Sequence, residues 1–165
     1  MNSELRRIDL ESGKIPLVTV AMPIYNAGVY LRTAVLSIIS QTYSNWQLFI
    51  IDDGSTDDAL QSLNDIGDNR IKILCDGNNK GLAARLNEAI DLAEGKYFAR
   101  MDQDDISYPE RFEKQVMALE SDESLDVVCV KALTISEADQ PVGYLPHQTK
   151  HEDICAKPWR SFHMP

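Results

Sequence analysis

Two hydrophobic periods alternate along this chain. Leu17–Met22 is an apolar, β-branched run closed by Pro23, which predicts a buried strand stopped by the proline. Between Tyr30 and Gln41 the apolar residues Leu31, Ala34, Val35, Ile38 and Ile39 recur at helical spacing and predict one buried helix face. Trp46–Ile51 reads as a second buried strand, followed by Asp52-Asp53-Gly54-Ser55 and a short helix carrying Leu60, Leu63 and Ile66. Ile71–Leu74 predicts a third strand, and Asp76–Gly81 a turn-rich loop. A helix follows with Leu82, Leu86, Ala89, Ile90 and Ala93 on its face and Gly95 as its stop. Tyr97–Met101 predicts a short strand, Pro109 the first position of a helix whose core face holds Phe112, Val116 and Leu119, Val127–Ile135 a long strand, and Asp139-Gln140-Pro141 a hairpin turn.

Strand–helix alternation of this kind predicts an α/β fold with a mostly parallel sheet and helices on both faces. Ligands in such folds bind beyond the carboxyl ends of the strands, which is where chemistry is sought. With 165 residues the chain suits one domain, residues 16–165, behind a polar leader at 1–15. The leader has no apolar segment of a signal peptide, and no run reaches the roughly 20 apolar residues that span a bilayer.

The formal charge is −10, which argues against a general grip on nucleic acid or anionic lipid. Three scattered cysteines (Cys75, Cys129, Cys155) make no disulfide framework and no C-x-x-C pair, so a reducing, cytoplasmic location is expected. No P-loop, dinucleotide fingerprint or nucleophile elbow is present. His147 and His151 are four apart, but Pro146 and irregular surroundings point to two loop histidines rather than a helical metal site.

Three strand ends carry candidate chemistry. Pro23-Ile24-Tyr25-Asn26-Ala27-Gly28 leaves Tyr25 on a loop, either stacking on a nucleobase or capping the core edge. Asp52-Asp53-Gly54-Ser55 is either a polar capped turn or the place where a carboxylate accepts a ligand N–H. Asp102-Gln103-Asp104-Asp105 sets three carboxylates directly after an apolar strand, where they repel one another unless a cation intervenes. Mg²⁺ and Mn²⁺ take one or two carboxylates plus substrate phosphates, and Asp102 and Asp104 project alike on extended backbone. A solvated helix-capping turn competes with that reading for Asp105 alone. Asn79-Lys80-Gly81 precedes a helix N-terminus suited to phosphate, with Lys80 and Arg85 in reach of a diphosphate; Arg85 equally suits a surface pair with Glu88 or Asp91.

Taken in order, the segments from Val18 to Asn26, Ser40-Gln41-Thr42-Tyr43, Ile50–Asp57, Asn79–Asn87, Ala93–Tyr97 and Asp102–Asp105 resemble the family 2 glycosyltransferases of the GT-A fold, over roughly residues 17–120. The resemblance implies a Rossmann-like three-layer fold that binds a nucleotide-sugar, usually a UDP-sugar, with Mn²⁺ or Mg²⁺. It places Pro23 and Tyr25 at the base, Asp53 on the uracil, Asp102 near ribose or metal, and Asp104 as the direct metal ligand. It also implies inverting transfer to a glycan or lipid-linked acceptor in glycan or polysaccharide synthesis, and a cytoplasmic or membrane-peripheral full-length enzyme. The carboxylate base of such enzymes comes from a later acidic motif. Glu152-Asp153 is a poor match to it, and Ser161–Pro165 resembles a segment that precedes it, so the chain is expected to be cut short and its catalytic base is unassigned. Two other readings remain: a donor-binding module without turnover, and a Mg²⁺-dependent phosphoryl-transfer domain, whose aspartates would belong on the first strand.

Overall fold

The structure, a computed structural model, describes residues 15–145. The leader up to residue 14, the three histidines, Cys155, Glu152-Asp153 and residues 161–165 lie outside the described residues. The chain divides into two compact units, one ending at Asp126 and one beginning at Val127.

The first unit is built on four parallel strands, β1 (Val18–Ile24), β2 (Trp46–Asp52), β3 (Ile71–Cys75) and β4 (Tyr97–Arg100), in the order β3-β2-β1-β4. The chain first steps outward from β1 to β3, then crosses back to set β4 on the other side of β1. That reversal opens a crevice beyond the carboxyl ends of β1 and β4, the position at which ligands bind in open α/β sheets. Both central strands are buried along their whole length, which explains their continuous rather than alternating apolar patterns.

Helix α1 (Leu31–Ile39) and helix α3 (Arg111–Ser121) cover one face with Leu31, Val35, Ile38, Phe112 and Val116, packed on Val20, Met22, Leu48 and Ile50. A 3₁₀ turn at Ala59–Leu63 closes the same core where the sequence predicts a short helix. Helix α2 (Leu82–Asp91) covers the other face through Leu86 and Ala89 against Ala21, Phe49 and Ile51. Its expected apolar stripe is turned: Leu82 and Ile90 are exposed, while Arg85 is buried.

Pro23 does not stop β1; it pairs with Ile51 inside the strand. The reason lies in the ladder. Ala21 turns its carbonyl to β4, accepting from Met101 N–H at 2.9 Å, so Pro23 faces the same side, and β4 pairing ends at Ala21–Arg100. The missing N–H therefore points past the end of β4 and costs no ladder bond.

Gly95 serves a close approach. A Cβ there would lie 2.6 Å from Leu17 O and 2.7 Å from Thr19 N, and Gly95 N–H donates to the buried Thr19 hydroxyl at 3.0 Å. The obstructing atoms are mostly backbone, so Gly95→Ala is expected to destabilise by about 1–3 kcal/mol, as overpacking does. A urea midpoint unchanged from wild type would contradict this.

In the second unit the long strand predicted over Val127–Ile135 is reduced to β5 (Leu133–Ile135), paired antiparallel with β6 (Pro141–Tyr144) around a turn with Asp139 at φ 56°. Of residues 127–132, most are exposed and none belongs to a strand; Ala132 O accepts from Leu145 N–H at 3.0 Å, one step beyond the β5–β6 pairs. An apolar run needs a ladder along its length to form a strand.

Candidate functional site

The crevice at the carboxyl ends of β1 and β4 is a cleft of about 230 Å³. The segment after β1 lines it with Pro23, Ile24 and Tyr25, and the end of β4 with Arg100, Asp102, Gln103 and Asp104; Asp53 and Leu82 complete it. Pro23, Tyr25, Asp53, Asp102 and Asp104, five of the residues singled out from sequence, thus meet in one place. Lys80 and Arg85 do not line it.

The loop after β1 is held by side chains from elsewhere. Tyr25 N–H donates to Gln103 Oε1 at 2.7 Å, Asn26 N–H to Ser55 Oγ at 3.0 Å, and Gly28 N–H to Asp57 Oδ2 at 2.8 Å. Asn26 returns a bond, accepting from Thr56 N–H at 2.8 Å. Gln103 also donates to Tyr25 O at 3.2 Å, so its amide pairs with both backbone groups of Tyr25 as a neighbouring strand would. It continues the β1–β4 ladder with a side chain past the end of β4, leaving the half-exposed Tyr25 ring at the cleft.

Asp53 is buried at the end of β2. Its Oδ1 accepts from Lys80 N–H at 2.7 Å and Arg85 Nε at 2.8 Å, and its Oδ2 from Gly81 N–H at 3.0 Å. Burial pushes this carboxyl up, but the donors from Lys80, Arg85 and Gly81 outweigh it and hold it below the usual carboxylate range. The backbone N–H groups before α2, which the sequence suggests for a phosphate, are taken by the protein's own carboxylate. A carboxylate has about four acceptor positions, so three donors leave one open on Oδ2. Gly54 lets the loops meet: a Cβ there would lie 3.1 Å from the Asn78 carbonyl carbon, at a φ of +78°.

Arg85 is enclosed by Asp53, Asp76 (2.7 Å) and Glu88 (2.8 Å), and Lys80 Nζ lies 2.6 Å from both Asp76 and Glu88. The Asp76 carboxyl is driven far down, chiefly by Arg85 and then Lys80, and the Arg85 guanidinium is held well above its ordinary value by Asp76, burial notwithstanding. These two cations are committed to a carboxylate cluster behind Asp53.

On the acidic run, Asp102 is gripped by Arg100, while Asp104 is exposed and in no ion pair among the described residues. Desolvation, then the charges of Asp102 and Asp104, push the Asp105 carboxyl up. Among the described residues no group of three or more His, Cys, Asp or Glu is placed to hold a metal ion. The donor set is instead two hard carboxylates on a cleft, which fits Mg²⁺ or Mn²⁺ completed by phosphate oxygens and not a closed all-protein cage.

Two glutamines were not singled out from sequence. Gln103 ties the acidic run to the loop after β1. Gln41, buried at the end of α1, donates to Tyr108 O at 2.8 Å and Ser107 Oγ at 3.1 Å and accepts from Phe112 N–H at 3.1 Å, anchoring the segment that leaves the acidic run. Their only signal in the sequence is membership of the Ser40–Tyr43 and Asp102–Asp105 motifs.

Residues 19–159 match the sequence profile described as glycosyl transferase family 2. The chain belongs to this family. It is 42% identical over 125 residues to the putative glycosyltransferase EpsE of Bacillus subtilis, covering 74% of this chain and 45% of EpsE. It is 37% identical over 100 residues to WfgD of Escherichia coli, named as a UDP-Glc:α-D-GlcNAc-diphosphoundecaprenol β-1,3-glucosyltransferase, covering 61% of this chain and 40% of WfgD. The chain thus spans less than half the length of these curated relatives. Among solved structures it resembles S. aureus TarS 1–349 in complex with UDP-GlcNAc (TM-score 0.58, 25% identity, 63% of this chain and 31% of that one). It also resembles the mannosyltransferase PcManGT of Pyrobaculum calidifontis in complex with GDP-Man and Mn²⁺ (TM-score 0.61, 25% identity, 71% and 36%). This family 2 glycosyltransferase chain has the GT-A fold of these neighbours, and among its described residues no helix is long and apolar enough to cross a membrane.

Proposed function

We propose that this chain carries the nucleotide-sugar site of an inverting, metal-dependent glycosyltransferase, working on the cytoplasmic side in glycan or polysaccharide synthesis with a glycan or lipid-linked acceptor. The observation that carries the reading is the convergence of Tyr25, Asp53, Asp102 and Asp104 on one cleft at the β1/β4 switch. Tyr25 offers a ring to stack on the base, above Pro23. Asp53 Oδ2 has an acceptor position left for the imide N–H of a uracil or the corresponding edge of another base, and Lys80 and Arg85 contribute by fixing that carboxylate. Asp102 and Asp104 would hold Mn²⁺ or Mg²⁺, Asp104 as the direct ligand. The chemistry such an ion would supply is positive charge to offset that developing on the departing diphosphate. The cleft is smaller than the roughly 300 Å³ at which ligand pockets begin, so it encloses only part of a nucleotide-sugar.

The base that deprotonates the acceptor hydroxyl is not one of the three cleft carboxylates, each of which has a part in holding the donor. Donor binding and transfer are therefore separable in this chain. Calorimetric titration with UDP and with GDP, each with and without Mn²⁺, is expected to show binding of at least one that depends on the metal. Binding of neither in the presence of Mn²⁺ overturns the reading, and transfer of sugar by this chain alone would show that its base lies within these 165 residues.

A further inference from the structure

Arg100 closes β4 and lines the cleft beside Asp102. Its Nε donates to Asp102 Oδ1 at 2.8 Å and its Nη2 to Oδ2 at 2.9 Å. Asp102 lies two residues past the end of β4, close enough along the chain for the fork to close. Both side chains are about a quarter exposed, 27% and 25%, so the pair is reachable from the cleft rather than locked in the core. The fork engages both oxygens of the carboxylate and leaves Asp104 as the unpaired acid on the cleft. The hydrogen bonds of the other nearby guanidinium, Arg111, go elsewhere, to Arg100 O at 2.9 Å, to Met101 Sδ and to Gln115 Oε1, so it acts on Asp102 and Asp105 through charge alone. Arg100 alone pairs with Asp102 among the described residues.

We propose that Arg100 is the resident counter-cation of Asp102: it keeps the acidic pair from taking a divalent metal by itself and moves to the diphosphate when nucleotide and metal arrive together. The inference rests on the nucleotide-sugar reading of the cleft. An Asp102 engaged with a dication leaves the guanidinium facing a second, larger positive charge a few ångströms away. That arrangement is relieved when Arg100 finds another anion, and a diphosphate presents the oxygen geometry a planar guanidinium fork accepts. Metal and nucleoside diphosphate then strengthen each other's binding, and by linkage they do so equally.

The test uses the full chain, Mn²⁺ alone counted by the electron paramagnetic resonance of the free ion, and UDP and GDP by calorimetry. Arg100→Met is expected to bind Mn²⁺ without nucleotide about fivefold tighter than wild type, the upper value for a partly exposed ion pair. It is expected to bind the nucleoside diphosphate with Mn²⁺ more weakly, so that the coupling between the two ligands shrinks. A fold defect does not raise metal affinity, and Arg100→Gln carries the same expectation should the Met variant fail to fold. Unchanged or weaker Mn²⁺ binding in these variants, beside normal metal-dependent nucleotide binding by wild type, overturns the role of Arg100 alone. Binding of neither UDP nor GDP by wild type with Mn²⁺ overturns the nucleotide reading beneath it.

Discussion

Asp104→Ala is expected to remove the Mn²⁺ dependence of nucleotide binding while leaving the unfolding midpoint where it is. The two halves of this expectation come from different observations. Asp104 is exposed and in no ion pair among the described residues, so little of the fold leans on it, and surface changes of that kind stay within about 0.5 kcal/mol. Yet it is the one carboxylate of the pair with no resident cation, so its loss leaves only Asp102, which Arg100 already holds through both oxygens. Changes one shell out from a metal already cost about 10–100-fold in affinity, and loss of a direct ligand should cost at least as much. Calorimetry of UDP and GDP with and without Mn²⁺, paired with a urea melt, measures both halves. A variant that unfolds would make the acidic run structural, and one that keeps its full Mn²⁺ dependence would move the metal off Asp104.

The four strands of the sheet, its helical cover on both faces and the acidic strand end were legible because they rest on local periodicity and on apolar runs that end abruptly. What stayed hidden depends on partners far away in sequence. Nothing near Pro23 says that β4 ends two residues short of it, yet that alone lets a proline sit inside a central strand. The helical stripe of α2 assigns Leu82 and Ile90 to the core, but Asp53, Asp76 and Glu88 draw Arg85 inward and turn the helix by their charge. Gln103 looks like a spacer between two acids; its function lies in the backbone of Tyr25, 78 residues earlier. The run from Val127 has strand composition, but composition supplies no ladder, and the strand that forms is Leu133–Ile135. Periodicity reports which face is apolar, and says little about which charge will be buried to meet another.

Asp53→Ala should be the most destabilising of the changes considered, at roughly 3 kcal/mol or more, because it breaks a buried ion pair and strips the acceptor from two backbone donors at once. Side-chain exposure of Asp53 and Arg85 is only 8% and 3%, so water replaces the lost carboxylate poorly. Arg85→Met is the informative companion: it leaves Asp53 with its two backbone donors and leaves Asp76 and Glu88 with Lys80, so a smaller loss is expected. The same cluster dictates a response to acid. Asp53 is held below its ordinary value despite burial, Asp76 more strongly so by Arg85 and Lys80, and Glu88 by Lys80 and then Arg85. Groups whose carboxyls titrate lower when folded than when unfolded add stability that is complete above the unfolded value, about pH 4, and drains away as the pH falls below it. Urea midpoints at pH 7 and at pH 3 should therefore separate widely in wild type and less in Asp53→Asn, which keeps the shape of the side chain but has no proton to gain. Equal acid sensitivity in the two proteins would place the titrating carboxyls elsewhere, and a wild-type midpoint in Asp53→Ala would mean that the loop before α2 holds itself without Asp53.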